Sequence, residues 1–303
     1  MGTKIDFAKV AGRKYEVISK LHWYLTNKIG RIIFLCTRKK VIALPNLHTT
    51  DVLNINQLEY LASRLPFPKA DTGRPSYTNI ELLPGILKVL RSGCRWRDLD
   101  RKAYPSGVTH WRRLRFWGLK FGLKNAWNIL LRKLDELSKL DLRIASVDGS
   151  LVPSFNFFDT TGYSGKDKKT GTKISTLVDF LGTPLNVLFA PGNKHDLPLA
   201  LPTIANNSVG KPKMLLADKG YDSDKLRFKL RQVGINTNIP TRDIKGRKRQ
   251  ENYNTNLGRM RFKIERTNAW IKSFRRLHFR FDYTLASFQA LTALIVICLK
   301  KLM

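Results

Sequence analysis

At Leu140 the hydrophobic pattern changes period, and this constrains the fold more than any other feature of the 303-residue chain. Before it, apolar residues recur every three or four positions; after it they alternate in short runs bounded by turn residues. "LRIASVDGSLV" reads as a short strand ending at Asp148. "GYSGKDKKTGTK" reads as a glycine-lysine turn, and "ISTLVDFLG" and "TPLNVLFAPG" as an antiparallel pair joined at Gly182-Thr183. "DLPLALPTIA" is a short helical segment capped by Asp196, "KMLLADKGY" a strand, "SDKLRFKLRQVG" a helix and "INTNIP" a strand. The basic, polar stretch from Thr241 to Asn256 reads as an exposed loop. "GRMRFKIERTNAWIKSFRRLH" follows as one long basic helix, and "LASFQALTALIVICLKKL" as the apolar helix that closes the unit.

Three strands, helix, strand, helix, strand, helix is the order of an RNase H-like α/β fold, a mixed sheet with helices on both faces. Residues 141–303 are therefore expected to form an RNase H-like catalytic domain. Residues 56–140 are expected to be a small all-α, helix-turn-helix-like unit. There "NQLEYLASRLP" carries Leu58, Leu61 and Leu65 at helical spacing, and "NIELLPGILKVLRSG" stops at Gly93 with an awkward Pro84 inside it. Two further helices divide near Gly122. Trp111, Leu114 and Trp117 form the inner face of the first, while Arg112, Arg113, Arg115 and Lys120 crowd the rest. Such a basic helix suits a DNA-binding unit, or is the solvated face of a bundle. Residues 1–55 read as an N-terminal extension, whose "KLHWYLTNKIGRIIFLCTRKKVIALP" is either a strand pair or a helix.

Lysine and arginine total 55 against 23 aspartates and glutamates, a formal charge of +32. That surplus exceeds what solubility needs and repels itself in a compact fold, so a polyanionic partner is implied, nucleic acid first. The longest apolar run, Leu291 to Leu299, is about half of a membrane span. Three scattered cysteines and no secretion signal point to the cytoplasm, with no membrane partner.

Within so basic a chain, Asp148 and Asp218 close neighbouring strands, and Glu265 sits in the helix expected to pack over the same edge. Singly, each has an innocent reading: Asp148-Gly149 as a turn, Asp218 as a loop start, Glu265 as a surface partner of Arg261 or Arg266. Brought together they repel unless a cation sits among them, and hard oxygen ligands suit Mg²⁺, with Mn²⁺ able to substitute. Two such ions about 4 Å apart would promote in-line phosphoryl displacement. Tyr221 and Asp222 are expected to support Asp218 from behind. His195-Asp196 reads as a helix-cap pair.

At these residues the chain resembles the DDE transposases of bacterial insertion sequences, of the insertion-sequence 5 family. "SVDGS", "ADKGYDSDKL" and "FKIERTNAWIKSFRRL" are similar to its first-aspartate, second-aspartate and glutamate motifs, and "ILKVLRSGCRWRDL" to its helical N-terminal domain. Of the broader glutamate signature, Arg261, Glu265 and Lys272 fall in place, while Gly258 stands where a tyrosine is usual. The resemblance implies a transposase that binds the terminal inverted repeats of its element, cleaves with Mg²⁺ and joins the freed end to target DNA, acting as a homo-oligomer on paired ends. Asp148, Asp218 and Glu265 would be its catalytic and metal-binding residues. Arg261 and Lys272 would clamp phosphates, and Arg112, Arg113, Arg115, Arg275 and Arg276 would contact the DNA backbone. The competing readings are a catalytically dead DNA-binding repressor derived from a transposase, and an RNase H-like nuclease that cuts without joining.

Overall fold

Strand β3 (Ile144–Pro153) is the axis around which the other elements are arranged. Ala145, Val147 and Val152 are fully buried, as expected of a strand covered on both faces, and its two edges take partners of opposite sense. The computed structural model describes residues 33–37, 40–44, 52–68, 75–242 and 253–299. Within residues 1–55 it contains an antiparallel hairpin, β1 (Ile33–Thr37) with β2 (Lys40–Leu44), so the strand-pair reading holds there. Most of the expected loop from Thr241 to Asn256 lies outside the described residues.

β5 (Lys169–Asp179) runs antiparallel along one edge of β3, from Ala145↔Asp179 to Pro153↔Gly171. Its outer edge is shared by β4 (Gly162–Ser164) and β6 (Pro184–Pro191). The other edge of β3 takes β7 (Met214–Leu216) in parallel, and β8 (Asn236–Asn238) pairs in parallel beyond it. The path β6-β5-β3-β7-β8 is the RNase H-like order, with the first strand of the domain at its centre. The parallel joins require crossovers, supplied by α5 (Asp196–Ala205) and α6 (Asp224–Gln232). Strand alternation separates the faces. Ser175 accepts a hydrogen bond from Thr203 of α5 on one face. On the other lies α8 (Phe262–Ser273), whose Thr267 Oγ1 donates to the Gly182 carbonyl at 2.8 Å.

Four helices precede the sheet: α1 (Ile55–Arg64), α2 (Asn79–Ser92), α3 (Gly107–Leu119) and α4 (Gly122–Glu136). Asn54 and Gln57 cap α1 reciprocally, and Gly93, at φ 72°, ends α2 in the left-handed conformation a side chain would resist. A single helix runs through Pro84. The last helix, α10 (Leu285–Leu299), is apolar on every side because it is enclosed on every side. It packs on α3 so closely that a Cβ at Gly118 would collide with the Ala286 carbonyl oxygen. On its sheet side Phe288 meets Phe189 edge-on at 5.6 Å. The pattern change at Leu140 is thus not a break in the core: one hydrophobic cluster runs from Leu58 through Trp117 and Leu294 to Val147.

Three local expectations are corrected. β3 does not end at Asp148 but continues to Pro153, since Gly149 pairs with Ser175 as an ordinary strand residue. His195, not Asp196, occupies the cap of α5, and Asp196 opens its first turn. The long basic helix is three pieces, α7 (Thr255–Arg259), α8 and α9 (Arg275–His278): Met260 and Arg261 separate the first two, and Phe274, extended and turned into the core, separates the last two.

Lys124 of α4 ties the helices to the sheet: its ammonium donates to Asn186 Oδ1 of β6 at 2.9 Å and lies 3.9 Å from the Trp127 ring centroid. Burial lowers its pKa to about 8. Between that value and the usual lysine pKa of about 10.4, the folded form therefore holds fewer protons than the unfolded chain. Stability rises with pH across the window. Lys124→Met is expected to flatten the rise, compared with the unsubstituted chain by urea denaturation at either end. Equal slopes in both proteins would refute the assignment.

Candidate active site

The register of the two central parallel strands decides what meets at their carboxyl ends. Their last pair is Ser146↔Leu216, and an acid follows two residues later on each strand: Asp148 and Asp218. Both therefore stand at one sheet edge. Asp148 remains within β3, braced by β5. Asp218 lies just past β7, where its Oδ1 accepts the Lys219 N–H at 2.6 Å and opens a short 3₁₀ turn, Lys219–Tyr221. Burial pushes the Asp148 carboxyl above the usual carboxylate range; Arg261 and the Gly149 N–H pull it back, while Asp196 and Asp218 push it further up.

Helix α8 and the residue before it lay one stripe across this edge, Arg261, Glu265, Asn268 and Lys272, at spacings of four, three and four. Arg261 Nη1 is 3.9 Å from Asp218 Oδ1, and Asn268 Nδ2 is 3.3 Å from Asp148 Oδ2. Lys272 is half-buried; burial lowers its pKa, and Asp167 and Asp148 oppose the shift. Glu265 occupies the same stripe between Arg261 and Asn268, and is exposed. The helix thus brings a cation and an amide to the two aspartates.

Of the two expected supports, Tyr221 belongs to the site. It is 1% exposed, and its hydroxyl is buried without a hydrogen-bond partner. Burial first, then Asp196, Asp148 and Asp218, push its pKa up. Asp222 instead turns away, paired with Arg227 at 2.7 Å and accepting the Arg242 N–H.

Sequence reading misses three members. Asp196, from the first turn of α5, lies against the backbone of Gly149 from the other face, where a Cβ would collide with its Oδ1. Lys173 balances it at 2.9 Å, close enough for an ion pair though not aligned as a hydrogen bond. Asn268 is the third; its Oδ1 is buried without a partner. The glycine after Asp148 is the available signal for Asp196, whereas nothing in the sequence marks Asn268.

The donor chemistry suits a hard divalent cation: oxygens of two carboxylates, one desolvated within β3 and one just past β7, beside buried polar atoms lacking partners. Asp148 and Asp218 fit that role. Among the described residues, no three His, Cys, Asp or Glu side chains stand close enough to hold one ion, so Glu265 does not complete the set in this arrangement.

The basic residues divide sharply. Arg112, Arg115 and Arg275 are exposed. Arg113 and Arg276 are corrections: each is buried and engaged inside the protein rather than placed to meet a DNA backbone. Arg113 donates to Asn79 Oδ1 at 2.6 Å, Ser76 Oγ at 2.8 Å and the Tyr77 carbonyl at 2.7 Å. Arg276 pairs with buried Asp282 at 3.3 Å.

A family model described as "Transposase DDE domain" matches residues 139–299, more than half of the chain. The chain belongs to that family. A second model, "Putative transposase of IS4/5 family", matches residues 55–123. The "Putative transposase for insertion sequence element IS402" of Burkholderia cepacia is 33% identical over 132 residues, 40% of this chain and 59% of that protein. An uncharacterized protein of the same element is 41% identical over 93 residues, 29% of this chain and 63% of that one. The chain thus spans about three-fifths of each of these relatives. Among solved structures, a piggyBac transposase synaptic complex with hairpin DNA aligns with 83% of this chain and 71% of its own at 11% identity and TM-score 0.43. The Mos1 strand transfer complex aligns with 94% and 90% at 13% identity and TM-score 0.30. Likenesses that distant add nothing to the strand order.

Arg113→Ala leaves Asn79 Oδ1 without its buried donor and is expected to lower the unfolding free energy by about 2–4 kcal/mol. Arg112→Ala is expected to change it by no more than about 0.5 kcal/mol. Parallel urea melts compare the two.

Proposed function

We propose that this chain is a transposase that binds the terminal inverted repeats of its insertion sequence and catalyses metal-dependent DNA cleavage and strand transfer. The observation that carries the reading is the matched register of β3 and β7, with an acid two residues past the last pair on each. Asp148 and Asp218 would hold a divalent cation, Mg²⁺ or Mn²⁺, with Glu265 the third ligand from α8. Such an ion supplies an activated water or 3′-hydroxyl and stabilises the leaving oxygen.

The protein's own groups do the positioning. Asp148 is fixed by its strand neighbours and by Asn268, so its carboxylate is presented from a rigid support. Arg261, 3.9 Å from Asp218, and half-buried Lys272 flank Glu265 and would bind the non-bridging oxygens of the scissile phosphate. Exposed Arg112, Arg115 and Arg275 would contact the DNA backbone and give affinity a steep salt dependence. No described helix is long and apolar enough to cross a membrane. We place the protein on DNA in the bacterial cytoplasm, associated with the nucleoid and working as a homo-oligomer on paired ends.

The exposed position of Glu265 favours one second reading, a repressor that retained DNA binding and lost catalysis. Asp218→Asn decides between them. On duplexes carrying the ends of its own element, it is expected to bind as the unsubstituted chain does and to lose Mg²⁺-dependent cleavage by about a hundredfold or more. If the unsubstituted chain binds but does not cut, the repressor reading stands. Cleavage without joining of the freed 3′ end would leave a nuclease. Glu265→Gln should match the Asp218→Asn phenotype; a variant cutting at the normal rate would remove Glu265 from the site.

A further inference from the structure

Beyond Pro153 the strand carrying Asp148 pairs for one more residue, Ser154, before the chain bends at Phe155 and Asn156. The Ser154 N–H donates to the Thr170 carbonyl at 2.9 Å on one side. On the other, Ser154 bridges in parallel to Arg280, whose N–H donates to the Pro153 carbonyl at 2.8 Å. Three chain segments therefore run side by side. Their inner face is polar but fully enclosed: Arg280 is 0% exposed, its guanidinium bonded to Thr172 Oγ1 and to the carbonyls of Asp282 and Tyr283.

Along the third segment Arg280 and Asp282 turn inward, so Phe281 and Tyr283 between and after them point outward. Phe155 and Phe157 are each 78% exposed, Tyr283 72% and Phe281 43%. The rings gather in two groups on neighbouring segments. Phe155 is centred 4.0 Å from Phe279 and Phe279 5.3 Å from Phe281, while Phe158 lies 4.7 Å from Tyr283. Aromatic area this exposed and this clustered marks a binding surface.

Its rim is cationic. Continuing the β3–β5 register past Pro153↔Gly171 sets Phe155 beside Lys169, and exposed Lys166 and Lys168 form the adjoining hairpin tip. Arg275 and His278, both exposed, precede Phe279. Of three nearby acids, Asp282 is buried against Arg276, while Asp167 and Asp159 accept neutral hydrogen bonds and keep their charge, leaving them outnumbered by Lys166, Lys168, Lys169 and Arg275. Flat π faces within a positive rim suit single-stranded nucleic acid, because cations hold the phosphates while the rings stack bases of any sequence. Phe155 lies seven residues past Asp148 on a nearly continuous strand, roughly 23 Å at about 3.3 Å per residue. That span equals about seven nucleotides of a duplex strand.

We propose that Phe155, Phe281 and Tyr283 form a stacking platform for unpaired DNA bases, about seven nucleotides from the cleavage point. The choice of DNA as the polymer rests on the function proposed above. The binding itself needs neither metal nor Asp218, so the two can fail separately.

The test measures fluorescence anisotropy of labelled oligo(dT) and of an arbitrary duplex of equal length, with the full chain in EDTA at fixed salt. Phe155→Ala and Tyr283→Ala are expected to weaken oligo(dT) binding by about tenfold each while leaving duplex affinity unchanged. Phe155→Trp should retain affinity and show indole fluorescence quenched by the strand, and Asp218→Asn should bind oligo(dT) normally. At positions this exposed the alanine variants should melt in urea as the unsubstituted chain does, which separates lost stacking from lost folding. Failure of the unsubstituted chain to bind oligo(dT), or alanine variants that bind it undiminished, would overturn the proposal. Undiminished binding combined with lost self-association in sedimentation would assign the surface to a second copy of the chain.

Discussion

The three-residue parallel pairing of β3 with β7 is the contact on which the rest depends. It is short, and two residues beyond it the strands carry like charges, so the electrostatics of the site work against the pairing that creates it. Burial adds to the difficulty by disfavouring the ionised form of Asp148. The opposing contributions come from outside the pair. β5 holds the far side of β3 from Ala145 to Pro153, and Arg261 and Asn268 reach in from α8 and its entry. The hydrophobic floor of Ala145, Val147 and Leu215 supplies the burial that keeps the two strands together despite the charge above them.

How much of this is legible in the sequence follows from which interactions are local. Period and turn residues report on hydrogen bonding between near neighbours, and they locate β5, β6, α5, α6 and the closing helix. Asp148 and Asp218 are legible for the same reason, each following an apolar run. Tertiary placement is not. Gly149 resembles a turn residue because glycine after aspartate usually marks one, but here its missing Cβ makes room for Asp196, which reaches it from the opposite face of the sheet. Asp196 itself looks like a helix cap because its one sequence signal is its place before an apolar run. Asn268 carries no signal, because what distinguishes it is a buried atom without a partner, a property of packing.

The charge surplus is legible as a total and misleading in detail. Composition treats every arginine as surface, but Arg113, Arg276 and Arg280 are buried and direct their donors into the protein, and Lys124 is held between a ring and an amide. A guanidinium's five donors can tie several segments together at once. Arg280 does so where Thr172, Asp282 and Tyr283 converge, and Arg113 where Ser76, Tyr77 and Asn79 do. Part of the positive charge is therefore architectural. What remains for a polyanion is concentrated on exposed positions such as Arg112, Arg115, Lys166, Lys168 and Arg275.

The shared core fixes where Glu265 stands relative to the aspartates. Because α10 is enclosed by α3, α4 and the sheet, the N-terminal helices cannot swing as a separate body without exposing Leu291, Leu294 and Ile295. Each of these is a fully buried side chain, and exposing one costs about 1.5–3 kcal/mol. α8 is held in the same way, by fully buried Ile264 and Ile271 toward its two ends and by Thr267 between them. Thr267 and Asn268 anchor its middle to the sheet, with Arg261 and Glu265 one turn earlier. The first turn of α8 is itself pinned by fully buried Ile264, so the packing that turns Arg261 toward Asp218 also holds Glu265 outward.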